Sequence, residues 1–354
     1  MTAVELIGQL VSYIFFITIA CAIIIVLFER RNPTVTLTWI LVMLFIPVLG
    51  FLLYIFLGQD LRRKNLFSLK EEEERQIYPL LEQQDRSLQA DRLFFHHPAT
   101  NDYRDLIHLH INANQSLFTQ NNRVEVFYEG NTLFDAMLKA LDEAQKYIHL
   151  EIYIIRNDRL GKAVLDTLTR RAEAGVEVKV LYDGMGGIRL PRHFFRPLIE
   201  AGGEVEVFFP PFLPYINLRV NFRNHRKICL IDGEQGFIGG MNIGLEYLGL
   251  SPRFKYWRDT HLRIWGDALD GLEIRFLLDW RFAHRDQSIL NTDYFPQREA
   301  SGNTGMQIVS SGPDSRWTSV RDGYLKLINK AGSRLYIHTP YLIPDESILE
   351  ALKI

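Results

Sequence analysis

Two long apolar runs open the chain. Leu10 to Phe28 is interrupted only by Ser12 and Thr18, and a second run extends from Leu37 to Leu57. As a helix, either is long enough to cross a hydrocarbon core of about 30 Å. The pattern predicts a transmembrane hairpin over residues 1–58, with spans at about 8–28 and 37–57. Pro47 and Gly50 are expected to kink the second span, and Trp39 and Tyr54 to lie in an interfacial belt. A re-entrant hairpin is the alternative.

Residues 59–122 form a polar linker and helical segment in which Glu71 to Glu74, Arg75, Gln83, Gln84, Asp85 and Arg86 read as a solvated helix face. From Arg123 the period alternates between two and 3.6. Val124–Tyr128 reads as a strand, Thr132–Lys146 as a helix and Tyr147–Ile155 as an apolar strand. An amphipathic helix at Gly161–Ala174 and a strand at Val176–Tyr182 follow. This alternation predicts an α/β layered domain over 123–295. Further on, two hydrophobic strands flank Asp232-Gly233, a hairpin turn.

After a linker at 296–305, the pattern starts again near Met306. Leu138, Leu141, Ala144, Ile148 and Leu150 recur as Leu325, Ile328, Ala331, Leu335 and Ile337, at a constant offset of 187 (325 − 138). Residues 306–354 are therefore the start of a second, incomplete copy, ending in an amphipathic Ser347–Ile354 that lacks a stop signal. The expectation is a fragment of a longer enzyme. A one-motif chain that dimerises across a two-fold is the competing explanation.

Charge and cysteine content narrow the setting. The net charge of −2 supplies no basic field for nucleic acid. Of the two cysteines, Cys21 lies in the first apolar run and Cys229 in a strand, so no disulfide framework exists and a reducing compartment fits. No Lys or Arg precedes the first run, which argues against a signal peptide. Arg62, Arg63, Lys64, Lys70 and Arg75 outnumber Arg30 and Arg31 in the connector. That asymmetry puts the body on the cytoplasmic side of a multi-pass membrane protein.

The chemistry is concentrated in His225-Arg226-Lys227, with Asp232 five residues further on and Gly239-Gly240-Met241-Asn242 after the turn. Strand alternation puts His225 and Lys227 on one face. An imidazole there can attack phosphorus while Lys227 neutralises a non-bridging oxygen, and Gly239 and Gly240 admit the backbone beside the Asn242 amide. The bland alternative makes His225 a core residue and Lys227 a solvated one. Elsewhere, His108 and His110 are spaced to share a strand face, but no Cys or carboxylate cluster accompanies them and no metal is expected. Asp183-Gly184-Met185-Gly186-Gly187 lacks both nucleotide-loop spacings and reads as a turn. Pro210 to Ile216, followed by Arg219, Arg223 and Arg226, fits either a loop dipping into the bilayer interface or a buried connection.

The H-x-K-x-x-x-x-D spacing followed by G-G-x-N resembles the phospholipase D superfamily signature, with Gly240 where that family usually has Ser. Arg31-Asn32-Pro33, Ile46-Pro47-Val48-Leu49-Gly50, Asn221 to Lys227 and Tyr256-Trp257-Arg258-Asp259-Thr260-His261-Leu262 extend the resemblance to the bacterial cardiolipin synthases of that superfamily. It implies a phospholipase D-like sandwich, a central sheet flanked by helices and duplicated, with no cofactor. It also implies phosphatidyl transfer between two phosphatidylglycerol molecules through a phosphohistidine at His225. Lys227 and Asn242 would hold phosphate oxygens, Asp232 would orient the hairpin, and Asp259 would position the nucleophile's other ring nitrogen. For Asp232 ordinary turn chemistry, and for Asp259 a salt bridge to Arg258 or Arg263, are the plain alternatives. The implied partners are phosphatidylglycerol and membrane lipids, and a second motif half from a longer chain or a homodimer partner. A hydrolytic phospholipase D and an inactive membrane-anchored module remain alternatives, since one imidazole cannot be both attacking base and protonated acid.

Overall fold

The computed structural model describes residues 71–210, 223–284, 291–312, 315 and 317–354, with residues 6, 8–9, 12–17, 20, 24, 33–46, 49–51 and 53–54 of the N-terminal segment. Two units are present, Met1–Leu61 with Pro211–Phe222, and Arg62–Pro210 with Arg223–Ile354. In the first, helix α1 (Pro33–Phe45) begins at a proline, which suits a first turn whose N–H groups are unpaired anyway. The Trp39 and Tyr54 rings meet edge to face at 5.4 Å. Among the described residues no helix is long and apolar enough to cross a membrane. Most of the first expected span, the Pro47 kink and the loop 211–222 lie outside the described residues.

The second unit is built on one eight-stranded sheet of order β4-β3-β2-β5-β6-β7-β1-β8. Its strands are β1 (Phe118–Phe127), β2 (Tyr147–Ile152), β3 (Glu177–Asp183), β4 (Glu204–Phe208), β5 (Lys227–Ile231), β6 (Gln235–Gly239), β7 (His261–Gly266) and β8 (Thr304–Gln307). β2, β3 and β4 run parallel and every other pairing is antiparallel. β1 starts at Phe118, earlier than alternation suggested, because the polar stretch Thr119–Asn122 pairs with β8 across a register shift. The parallel crossovers are the helices α5 (Arg159–Glu173) and α6 (Arg196–Glu200). α4 (Gly130–Glu143) lies between β1 and β2, and α7 (Ala268–His284) follows β7.

β2 explains how the two faces differ. All six of its residues are buried. Ile148, Leu150 and Ile152 enter the core with Leu133, Met137 and Leu141 of α4 and Val164 and Leu168 of α5. Tyr147 and His149 point to the other face, where both bond Glu273 of α7, at 3.1 and 2.6 Å, and the His149 ring stacks on Phe276 at 4.5 Å. Buried polar groups persist on that face because they have partners.

N-terminal to β1, α2 (Glu71–Gln89) and α3 (Arg104–Asn114) bury Leu81, Leu88, Ile107 and Ile111 with Phe95 and Phe118. The strand expected to carry His108 and His110 is this helix α3. Two residues apart on a helix they diverge: His108 lies 2.6 Å from Asp85, while His110 is buried beside Gly323.

The segment expected to begin a second copy contributes α8 (Ser319–Lys330) and α9 (Glu346–Lys353). α4 and α8 end on C-caps Ala144 and Ala331, and α5 and α9 begin on N-caps Asp158 and Asp345, both at the offset of 187 (331 − 144). Between α8 and α9 no strand forms at 335–340.

Candidate active site

The hairpin of β5 and β6 turns on Asp232 and Gly233, both at positive φ (56° and 68°). Asp232 tolerates that conformation because its carboxylate is fixed, accepting hydrogen bonds from the backbone N–H groups of Gln145, Lys146 and Tyr147 at 2.8, 2.7 and 2.9 Å. It fastens the hairpin to the start of β2, at the opposite end of β5 from Lys227. The carboxylate therefore lies about 16 Å along the strand from Lys227.

At the other end of the sheet, registers Ile152↔Lys227 and Gly239↔His261 bring four strand ends together beside the carboxyl ends of the parallel strands. His225 precedes β5 and is not a strand residue, yet the alternation carries through. Its ring stacks on Tyr153 at 3.8 Å and 21°, and the Lys227 ammonium stands 5.2 Å from the centroid of the same ring. Arg226, one residue out of phase, turns to the α7 face and pairs with Asp279 at 2.8 Å. That removes Arg226 from the basic face expected of residues 219–226.

Burial, then the Lys227 charge, holds the His225 imidazole below its usual pKa despite Asp183, so it is neutral at neutral pH. No hydrogen bond reaches its ring among the described residues. Burial lowers Lys227 to about 8, against Asp259, Asp183 and Glu151. Its Nζ donates to the His225 carbonyl at 2.5 Å, fixing the spacing of the pair.

Gly240 answers the departure from Ser. A Cβ there would lie 2.1 Å from Oδ1 of Asp259, whose carboxylate occupies the space a serine side chain would take. Asp259 itself precedes β7 instead of lying on it, and its Oδ1 accepts from the Thr260 N–H at 2.7 Å. A Cβ on Gly239 would meet His261 at 2.5 Å, so this glycine admits β7. The Asn242 amide is engaged at both ends: its Oδ1 accepts from the Ile154 N–H at 3.0 Å, and its Nδ2 donates to the Tyr247 hydroxyl at 2.7 Å. It thereby holds the segment that carries Tyr153.

Sequence reasoning missed four supporting residues. Asp183 accepts from the backbone of Asn224, Met185 and Gly186 at 2.8, 2.9 and 2.9 Å, tying the loop that carries His225 to the end of β3 and making its glycine-rich stretch the expected turn. Glu151, buried on β2, accepts from Asn224 and is pushed well above the carboxylate range by burial and by Asp279. Tyr153 floors the site. His261, buried beside Lys227, is driven to about 3 by burial, and so is neutral. Only the chain distances between these residues and the motif hid them; a polar residue within an apolar strand, as at Glu151, was the available signal.

The comparisons with known proteins agree on one group. Residues 137–251 match the family described as cardiolipin synthase, PLD-like domain, and residues 16–59 match the family described as phospholipase D-nuclease N-terminal. The major cardiolipin synthase ClsA of Bacillus subtilis (strain 168) is 46% identical over 98% of this chain and 72% of its own length. The cardiolipin synthase of Oceanobacillus iheyensis is 44% identical over 98% and 72%, and that of Listeria monocytogenes serotype 4b (strain CLIP80459) 42% over 99% and 73%. Among solved structures, phosphatidylserine synthase of Haemophilus influenzae Rd KW20 aligns at TM-score 0.39 and 17% identity, over 55% of this chain and 44% of that one. That likeness is too slight to argue from.

Proposed function

This chain belongs to the bacterial cardiolipin synthases of the phospholipase D superfamily, and on that premise we propose how its residues carry the reaction. The activity is transfer of a phosphatidyl group from one phosphatidylglycerol to another, giving cardiolipin and glycerol. The neutral His225 imidazole attacks phosphorus, forming a P–N bond as the P–O bond to glycerol breaks. Lys227 neutralises the charge gathering on the non-bridging oxygens. The leaving glycerol oxygen takes its proton from a second imidazole, which then accepts the proton of the incoming phosphatidylglycerol hydroxyl as that oxygen displaces His225.

The second imidazole comes from a further motif, in a longer chain or in a partner copy. The relatives' greater length supports this reading, since the chain spans 72% of two of them. Asn242 and Asp259 serve as positioning residues, the first through Ile154 and the second by filling the space over Gly240. Residues 8–57 anchor the enzyme as a membrane hairpin with the body on the cytoplasmic side, a reading supported by the apolar pattern, the basic-residue count and the match of residues 16–59.

One observation carries the proposal: the His225 ring stacked on Tyr153 with the Lys227 ammonium over the same ring. The test is an acid quench with labelled phosphatidylglycerol, in a chain extended to the relatives' length. Label should remain bound to the protein and vanish in His225→Asn, with turnover down by about 10³-fold or more. Label persisting on His225→Asn would assign the nucleophile to the other half.

A further inference from the structure

The segment that leads into the site, residues 250–258, has an unusual surface. Leu250, Phe254 and Tyr256 are 53%, 38% and 68% exposed, interleaved with Arg253, Lys255 and Arg258. No Asp or Glu occurs between Glu246 and Asp259. None of the three cations has a carboxylate partner among the described residues. Arg253 lies over the Phe254 ring at 5.2 Å, and Arg258 lies over Tyr128 at 5.1 Å while donating to His338 at 3.2 Å.

The segment is also braced from within. Phe254 meets Trp257 edge to face at 5.3 Å, Trp257 meets Tyr247 at 4.8 Å, and Tyr247 accepts from Asn242. An aromatic chain thus links the exposed tip to the residue that holds the floor of the site. Arg258 is followed directly by Asp259 over Gly240.

We propose that residues 250–258 dock on an anionic lipid bilayer. Leu250, Phe254 and Tyr256 enter the interface, where aromatic rings with one apolar and one wet side are favoured, and Arg253, Lys255 and Arg258 meet lipid phosphates. Docking there holds the site at the depth of the headgroups it acts on. The inference rests on the phospholipid reading above for its substrate, and on charge complementarity for its occupant: an uninterrupted basic and aromatic rim fits a negatively charged surface.

The test uses the full chain reconstituted into vesicles, with Cys21→Ser so that the buried Cys229 is the only native thiol. An environment-sensitive dye is placed at Leu250→Cys or, as a control, at the exposed Ile199→Cys. In vesicles of phosphatidylcholine mixed with phosphatidylglycerol, brominated lipid should quench the Leu250 probe several-fold more than the Ile199 probe. Replacing phosphatidylglycerol by phosphatidylcholine should reduce that difference, as should Arg253→Gln or Lys255→Gln, by about fivefold per charge in the docked-to-undocked ratio. Equal quenching of the two probes would overturn the proposal. So would a Leu250 probe shielded from lipid and aqueous quenchers alike, which means a protein cover, or one that responds to an added oligonucleotide and not to lipid. Turnover is measured separately from quenching, so quenching in a chain that makes no cardiolipin leaves docking standing, and cardiolipin made with the probe in water overturns docking alone.

Discussion

α4, β2 and α5 recur as α8, residues 335–340 and α9, with helix caps at equivalent positions, but only the first copy has a strand between its helices. In the first copy β2 is paired on both edges, by β3 and β5, and covered on both faces. Residues 335–340 pair with no strand among the described residues and are exposed throughout. The helices need little beyond local signals: an apolar stripe and, for α5 and α9, an aspartate accepting an N–H of the first turn. A strand needs neighbours, because its stabilisation comes from cross-strand pairs and burial more than from backbone preference. The same contrast separates Glu151, sealed beneath α7, from its counterpart His338 (338 − 187), whose side chain among the described residues reaches only Arg258.

The largest expected effect lies beneath the first copy. Asp279 is fully buried and accepts from Arg226 at 2.8 Å and Arg275 at 2.5 Å. Asp279→Ala leaves both guanidinium groups without their carboxylate and should lower stability by about 3–5 kcal/mol, read as a shift in the denaturant midpoint. A change below about 1 kcal/mol would mean that the network gives β2 none of its advantage over 335–340.

The next effect is on rate. Lys227→Met should cost on the order of 10²- to 10³-fold in kcat/KM in an enzyme with both motifs. Its pH profile sharpens the point. The proposed attack requires a neutral His225, and its lowered pKa puts the acid limb below pH 6.5, with activity lost as pH falls through it. Lys227 must be charged, so activity should fall as pH rises through about 8. Lys227→Arg stays protonated and should carry whatever activity it retains past that point. An alkaline limb still near 8 in Lys227→Arg would assign that limb to another group.

A smaller loss is expected at Tyr153, whose counterpart in the second copy is Pro340 (340 − 187). Tyr153→Ala removes the surface against which His225 and Lys227 are held, and should reduce kcat about 10- to 100-fold with little change in KM. Tyr153→Phe keeps the ring and should restore most of the rate. If the two variants are equally slow, the hydroxyl matters and the stacking does not.

How far this was legible in the sequence follows from the same distinction. The period of two or 3.6 located β2, α4, α5 and the β5–β6 hairpin, and the fixed spacing around His225 gathered Lys227 and the two glycines without any coordinates. The network of Glu151, Asp183, Arg226 and Asp279 was not legible, because it joins residues as far apart as β2 and α7 through a face where polar side chains stand in an otherwise apolar strand. His108 and His110 misled because their spacing fits a strand as well as a helix, and the packing of Ile107 and Ile111 against Leu81 and Leu88 decided for the helix. Gly240 read as a lost hydroxyl, whereas the Asp259 carboxylate leaves no room for one.

The smallest effect tests the caps the two copies share. Asp158 does two jobs: Oδ1 accepts from Gly161 N at 3.0 Å and Oδ2 from Leu245 N at 2.7 Å, so it caps α5 and ties it to the loop following Asn242. Asp345 accepts from Ile348 N at 3.0 Å and pairs with Arg321 in an exposed setting. Asp158→Ala should therefore lower global stability by about 1–2 kcal/mol. Asp345→Ala should leave the global midpoint unchanged and show only as faster amide exchange in the first turn of α9, since a helix beside an unpaired segment unfolds locally without taking the sheet with it. Equal global losses from the two substitutions would mean that the second copy is as firmly integrated as the first, and the contrast between strand and open segment would lose its energetic meaning.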